Sequence, residues 1–308
     1  MIPPGVHYIS YRINNSPTSG FFHNFSQKEV FSRKWEPASA VFKELDQLTA
    51  SNIALPENLK TMDGELAPYP IEEYKKWCGL SNLISKKALL RLDPKCGFVD
   101  SVCDYTPAVD ENNRSKLDKD GLPILSQTEE SRIQYTAVSR QWWPENCSPS
   151  ERSLHAQDSS WFLGELVKKT GSSEDLLAEL QYSYIVFVLG QHMASFDHWK
   201  QLLRVFSYCT DIVTHSALYQ KFFTALYFQI QTMPEDFMVD IVSSNNVVLQ
   251  CLNQLFRNVF DAKAEIPPAL FLRSSKFRTY CETKFNWKLY EDGESEDDDE
   301  DGPTIVQL

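Results

Sequence analysis

The stretch QHMASFDH, residues 191–198, brings together the side chains of this sequence that are best suited to chemistry. It holds His192 and His198 with an aspartate beside the second, and imidazole with carboxylate is a combination that binds metals and transfers protons. On a helix, six residues turn through about 600°, a net rotation of about 240°, so the two imidazoles point to different sides. They could not easily share a metal, and we expect both histidines on the polar face of a helix whose Phe196 and Trp199 belong to the core.

The sequence motifs of the common enzyme classes are missing. There is no G-x-x-x-x-G-K-[ST], no G-x-G-x-x-G that opens a helix after a strand, no G-x-S-x-G and no H-E-x-x-H. Eleven glycines are few for a fold that must bring backbone close to a cofactor. The acidic triplet Asp297–Asp299 would hold a divalent cation only loosely, because such a run lacks fixed geometry. We therefore predict a protein that is not an enzyme, with no catalytic residue, no cofactor and no metal site.

The net charge of −12 is concentrated near the C-terminus, where nine of the eleven residues from Glu291 to Asp301 are acidic. Without those nine, 33 acidic residues face 30 basic ones, a net charge of about −3. No basic patch of the density that phosphate binding requires is present, which disfavours direct binding of nucleic acid. No apolar run is long enough to span a membrane, and the N-terminus does not resemble a signal peptide. The seven cysteines are scattered, with no C-x-x-C pair, so we expect a soluble, intracellular, reduced protein with no membrane contact.

The elements that must position these residues fall into two domains, and the first, residues 1–143, is predicted to be β-rich. Residues 5–13, GVHYISYRI, alternate as a strand does. Residues 20–25, GFFHNF, and 30–35, VFSRKW, are separated by SQKE, which suits a hairpin with a four-residue loop. RIQYTAVS, residues 132–139, predicts one more strand.

Short helices and one long loop complete the predicted N-terminal domain. Apolar residues from Val41 to Leu48 have helical spacing, and a further helical region is predicted from Ile71 to Leu92. Residues 107–130 are polar and contain Pro, Gly and Asn, so they predict a loop or linker.

The pattern changes after Trp143, and residues 148–288 predict an all-α domain. Ser148-Pro149-Ser150-Glu151 places a hydroxyl at the N-cap, proline at the first helical position and a carboxylate two residues later, and Ser172–Asp175 repeats this logic. Further helical runs are predicted up to about Gly190 and over 193–206, 222–230, 234–242, 247–260 and 268–285. We assign one apolar helix face to the core, formed by Phe196, Trp199, Leu202 and Leu203. LGQHMASFDHWKQLL also resembles a tetratricopeptide helix pair, with the small Ala194 predicted where the helices approach closely, although no 34-residue repeat accompanies it.

The tail, residues 289–308, is predicted to be disordered up to Pro303 and then to supply a strand to a partner. The acidic run is too charged to collapse, and Pro303 cannot donate to a strand ladder. Beyond it the chain returns to β-forming residues, and we assign partner binding to Thr304, Ile305, Val306, Gln307 and Leu308. The simpler alternative is a frayed terminus. Ser295, followed by three acidic residues, is a candidate phosphorylation site.

Several segments together resemble one known family, the Aar-two (AAR2) splicing factors. They are MIPPGVHYISY, GELAPYPIEEYKKWCGLSNLIS, LLAELQYSYIVFVLGQHMASFDHWKQLL and MPEDFMVDIVSS, and they occur in the order that the family has. The resemblance implies a β-rich N-terminal domain joined to a helical domain similar to the VHS type. Family members usually carry further strands upstream of the MIPPG segment. The start is then either truncated, or the sheet lacks those strands and exposes an edge.

The resemblance also implies a function and a partner. It implies a non-enzymatic assembly factor of the spliceosomal U-five snRNP, required for pre-mRNA splicing and found in cytoplasm and nucleus. The implied partner is the scaffold protein Prp-eight in a U-five snRNP precursor, bound through its RNase H-like and Jab/MPN domains, with the C-terminal tail adding a β-strand between them. The bound factor would hold an assembly intermediate and keep a helicase off until nuclear maturation. The alternative hypothesis is a VHS-like helical adaptor that recognises short peptide motifs and has no connection with splicing.

Overall fold

The chain forms two compact units, Met1–Ile133 and Gln134–Leu308. The computed structural model describes residues 2–12, 17–36, 41–101, 105–107, 125–139, 141–233 and 246–290, with the single residues 110, 114, 116, 117, 119, 121 and 122. The first unit holds the strands and the second is helical, which confirms the α+β, two-domain prediction. The predicted N-terminal domain, 1–143, extends past the division between the units. The similarity to VHS-type domains stays a prediction.

Short strands and short helices make up the first unit. Its strands are β1 (Gly5–Tyr11), β2 (Ser19–Phe25), β3 (Arg33–Glu36), β4 (Val41–Glu44), β5 (Val99–Asp100), β6 (Tyr105–Pro107) and β7 (Leu125–Gln127). Its helices are α1 (Gln47–Ile53), α2 (Pro56–Met62), α3 (Tyr74–Ser81), which follows a 3₁₀ turn at Ile71–Glu73, and α4 (Lys86–Leu92). The strand predicted at GVHYISYRI and the helical region predicted from Ile71 to Leu92 are both confirmed.

The largest sheet of this unit has the strand order β1-β2-β5. β1 and β2 are antiparallel, with Gly5 opposite Phe25 and Tyr11 opposite Ser19. The hairpin predicted between GFFHNF and VFSRKW is therefore wrong, because both edges of β2 are taken by β1 and β5. The intervening SQKE segment turns the chain away, with Lys28 at a positive φ of 61°.

β3 pairs instead with β4, which corrects the helix predicted from Val41 to Leu48. Phe42 packs edge-on against Trp35, with ring centroids 5.2 Å apart, and against Tyr11 at 4.7 Å. These cross-strand aromatic contacts favour a strand over a helix at β-forming residues. The helix begins only after Asp46, whose carboxylate accepts a hydrogen bond from the Thr49 N–H at 2.9 Å.

The two ends of the predicted 107–130 loop are paired, because β6 and β7 form an antiparallel ladder. The strand predicted at RIQYTAVS is wrong, since residues 132–139 form no strand. In this segment the Thr136 N–H donates to the Glu179 carboxylate, as described below.

Seven described helices build the second unit. They are α5 (Pro149–Gln157), α6 (Ser160–Thr170), α7 (Ser173–Gly190), α8 (Met193–Tyr208), α9 (Ser216–Thr232), α10 (Val247–Asp261) and α11 (Pro268–Phe285). The predicted helix starts at Ser148 and Ser172 are confirmed, the first as a complete capping box with Glu151. The run predicted over 234–242 lies outside the described residues.

α7 is the centre of this unit, because it is buried around most of its circumference and packs against α6, α8 and α9. The predicted core face of α8 is confirmed, since Phe196, Trp199, Leu202 and Leu203 are all buried. Ala194 is exposed, so it is not the close-approach position that we predicted; the neighbouring Ser195 is the buried small residue. No helix among the described residues is long and apolar enough to cross a membrane.

Candidate functional site

The predicted partner-binding strand, Thr304–Leu308, and the candidate phosphorylation site Ser295 lie outside the described residues, so both stay predictions. In the described part of the second unit, two places concentrate polar chemistry. One is a buried cluster around Glu179 on α7, and the other is a groove that contains Trp142 and Trp143.

Glu179 is 0% exposed, and its carboxylate accepts hydrogen bonds from Thr136 and His198. Its Oε1 accepts from the backbone N–H of Thr136 at 2.7 Å and from His198 Nε2 at 2.9 Å. Its Oε2 accepts from the Thr136 hydroxyl at 2.9 Å. Because a buried carboxylate is stable only when its oxygens have donors, these bonds fix the segment around Thr136 on α7 and α8.

Tyr135 joins the same cluster to the start of α8. Its ring stacks on His198 with centroids 4.1 Å apart and planes 13° apart, and its hydroxyl lies 2.7 Å from Ser195 Oγ. Ser195 Oγ in turn lies 2.7 Å from Nδ1 of His192, which also accepts from the Ser195 backbone N–H at 3.1 Å. Burial lowers the pKa of His192 to about 4, so this imidazole is neutral at physiological pH.

The predicted positions of both histidines are wrong, because His192 and His198 are buried rather than on a polar face. His192 is the N-cap of α8 with φ −94° and ψ 101°, so the rotation expected along a helix does not apply to it. His198 does lie on the helix, but Tyr135 covers its ring. The described residues contain no group of three or more His, Cys, Asp or Glu side chains that could hold a metal ion.

The Ser195–His192 pair has the hydrogen bond of an activated nucleophile, but its surroundings give it a structural role. Ser195 is 0% exposed and its Oγ contacts both His192 and Tyr135, so no substrate reaches it in this conformation. The cluster therefore serves to hold the segment 134–139 against the helices.

The groove lies in the same unit and has a volume of about 580 Å³. It is lined by Val138, Ser139, Trp142, Trp143, Ala156, Gln201 and Arg204. The guanidinium of Arg204 lies 5.4 Å from the Trp142 ring centroid and 5.6 Å from that of Tyr208, so it is held between two aromatic side chains. Trp142 is buried, whereas Trp143 is only half-buried and within reach of a ligand.

Sequence reasoning missed the residues that carry both features. Glu179 is the one carboxylate of the stretch LLAELQYSYIVFVLG, and a carboxylate among so many apolar residues has to be paired when it is buried. The adjacent tryptophans of QWWPE were a second available signal. No sequence signal connects Arg204 with them, because the contact joins α8 to a distant segment.

Comparison with known proteins connects this fold to one family. The family model described as the AAR2 N-terminal domain matches residues 1–94, and the one described as the AAR2 C-terminal repeat region matches residues 135–290. The chain is 30% identical to Protein AAR2 homolog of Caenorhabditis elegans, over 93% of this chain and 85% of the relative. It is 28% identical to Protein AAR2 homolog of Homo sapiens, over 100% of this chain and 85% of the relative. It is 21% identical to A1 cistron-splicing factor AAR2 of Saccharomyces cerevisiae, over 99% of this chain and 88% of the relative. Since the two family models together cover most of the sequence in the order N-terminal then C-terminal, the chain belongs to the AAR2 family.

Proposed function

We propose that this protein is a non-enzymatic assembly factor of the spliceosomal U-five snRNP and is required for pre-mRNA splicing. The observation that carries the proposal is similarity along 99% of the chain to a relative named a splicing factor. The buried cluster supports a non-enzymatic role, because the serine, histidine and carboxylate groups that could do chemistry are used to hold the fold.

The proposed partner is Prp-eight in a U-five snRNP precursor, bound through its RNase H-like and Jab/MPN domains. The sequence supports a tail that contributes to this contact. Thr304–Leu308 has the β-propensity and length of a short strand, and main-chain hydrogen bonds to an exposed sheet edge would hold it. The acidic run from Glu291 to Asp301 would speed encounter with a basic surface, such as a scaffold that later holds RNA. We also propose that the protein is found in both cytoplasm and nucleus, as expected of a factor that acts on a precursor which matures in the nucleus.

The test is purification of the tagged full-length chain from cells, followed by identification of the proteins that accompany it. We expect Prp-eight, and we expect depletion of the protein to cause unspliced pre-mRNA to accumulate. The matched control is the same tagged chain without residues 303–308, which should recover much less Prp-eight. Recovery of membrane-trafficking proteins in place of Prp-eight would contradict the proposal and favour the VHS-like adaptor.

A further inference from the structure

The groove that contains Trp142 and Trp143 has the size of a binding site and no occupant from the described residues. Its volume of about 580 Å³ lies within the range of roughly 300–1,000 Å³ that is usual for ligand sites. Two indoles, Val138 and Ala156 supply apolar surface, and none of the described lining residues is acidic. Tryptophan and arginine are the side chains that most often dominate binding energy at interfaces, and both are present here.

Arg204 is the charged group among the described lining residues of this groove. Within the described part of the chain, its guanidinium makes no ion pair and no hydrogen bond, and it contacts Trp142 and Tyr208 through their rings. A guanidinium that is stacked in this way keeps its N–H donors free in its own plane, where they match a carboxylate bidentately.

We propose that this groove binds an acidic peptide segment of a partner protein, with a carboxylate on Arg204 and a neighbouring apolar side chain on the indole of Trp143. The positive charge of Arg204 favours a carboxylate, and the apolar lining favours an apolar side chain beside it. The groove is separate from the C-terminal tail that we propose to bind Prp-eight. It would therefore give the protein a second, independent docking surface.

Nucleic acid fits the groove less well than a peptide. Binding to a phosphate backbone depends on many cations at once, whereas two described basic residues that are close in sequence to the lining residues are already engaged. Lys200 is paired with Asp197 at 2.8 Å, and Arg152 donates to the Cys147 carbonyl at 3.2 Å. A single guanidinium beside apolar surface suits one carboxylate with an apolar neighbour.

The experiment is selection of short random peptides, displayed on phage, against the full-length chain. The selected peptides are then synthesised, and their affinities are measured by fluorescence anisotropy. We expect them to share an acidic residue next to an aromatic or aliphatic one. Arg204→Gln should weaken their binding on the order of 10-fold to 100-fold, the range for loss of a charged hydrogen-bonded pair. Arg204→Lys should bind with intermediate affinity, because it keeps the charge but loses the planar fork.

Arg257→Gln is the matched control, since Arg257 is also an exposed arginine stacked on an aromatic ring, that of Tyr290, but it does not line the groove. It should leave peptide affinity unchanged, and the melting temperature of Arg204→Gln should equal that of the wild type.

Selected peptides without an acidic residue, or equal affinity in Arg204→Gln and the wild type, would overturn the proposal. A third result would also overturn it: tighter binding of acidic peptides after the carboxylates of residues 291–301 are neutralised. In that case the chain's own acidic tail competes with the peptides and is itself the occupant of the groove. Recovery of Prp-eight by the Arg204→Gln variant is measured separately, so failure of the groove and failure of the tail contact are distinguishable.

Discussion

Among the fully buried side chains of the described residues, that of Trp199 is the largest. Replacing it by alanine should remove much of the stability of the helical unit. The side chain is 0% exposed, and its indole stacks on Phe196 with centroids 5.9 Å apart. Large-to-small aromatic substitutions in cores cost about 3–5 kcal/mol. The indole N–H also donates to Gln229 Oε1 at 3.0 Å, and an acceptor left buried without a donor costs about 1–3 kcal/mol more.

The expected loss for Trp199→Ala is therefore about 4–8 kcal/mol, a large part of the roughly 5–15 kcal/mol that is typical of a whole domain. Trp199→Phe is the more informative change, because it keeps a six-membered aromatic ring and loses the N–H. We expect the unpaired Gln229 acceptor to cost about 1–3 kcal/mol, in addition to the cost of the smaller ring. The assay is urea denaturation of the full-length chain followed by far-UV circular dichroism. Leu154→Ala is the control, since Leu154 is 70% exposed and its truncation should change the free energy of unfolding by less than about 0.5 kcal/mol.

A double-mutant cycle with Gln229→Leu isolates the hydrogen bond. Each single change leaves one buried partner unsatisfied, whereas the pair of Trp199→Phe and Gln229→Leu removes both, so the double variant should be more stable than the sum of the two losses predicts. Strict additivity would refute the hydrogen-bond argument. A Trp199→Ala variant as stable as Leu154→Ala would show that this face of α8 is an exposed docking surface and not core.

Three further predictions concern buried polar groups and thiols. Because the pKa of His192 is lowered from 6.5 to about 4, the unfolded chain binds this proton at higher pH than the folded one; stability is lost as pH falls from about 6.5 towards 4. The urea midpoint should therefore fall across that window, and less so in His192→Asn; equal pH profiles for the two proteins would contradict this. Glu179→Gln should raise the hydrogen-exchange rate of the Thr136 amide by removing its charged acceptor, and an unchanged rate at that amide would show that the cluster does not hold the segment. Burial raises the pKa of Cys251 and Cys281 to about 12, so both thiols should resist iodoacetamide until the chain unfolds, as peptide mass spectrometry would show; labelling of either in the native protein would be the opposite result.

The parts of the fold that depend on neighbouring residues could be predicted from the sequence. The capping box at Ser148 and the N-cap at Ser172 use groups within a few residues of each other, so their pattern is visible in the sequence. Strand pairing was not accessible in this way. GFFHNF could pair with either neighbour, and its choice of β1 over β3 depends on contacts between whole strands. The aromatic contacts that make Phe42 part of a strand are likewise between separate segments.

The same distinction between local patterns and contacts of distant segments applies to the candidate sites. The helical spacing of Trp199 and Leu202 places them on one buried face, and the structure confirms it. The burial of His198 could not be predicted, because it is produced by Tyr135, a residue far away in the chain that the sequence pattern assigned to a strand. Arg204 was missed for the same reason, since its aromatic partner Trp142 precedes the helical run that contains it.

The most direct test of the proposed function is the affinity of the purified full-length chain for the RNase H-like and Jab/MPN domains of Prp-eight, compared with that of the chain lacking residues 303–308. We expect the full-length chain to bind and the deletion to weaken binding on the order of a hundredfold, the effect of losing a few net main-chain hydrogen bonds. The urea midpoint of the deletion variant should equal that of the full-length chain. Full affinity in the deletion variant would contradict the strand addition, and failure of the full-length chain to bind either domain would contradict the proposed partner itself.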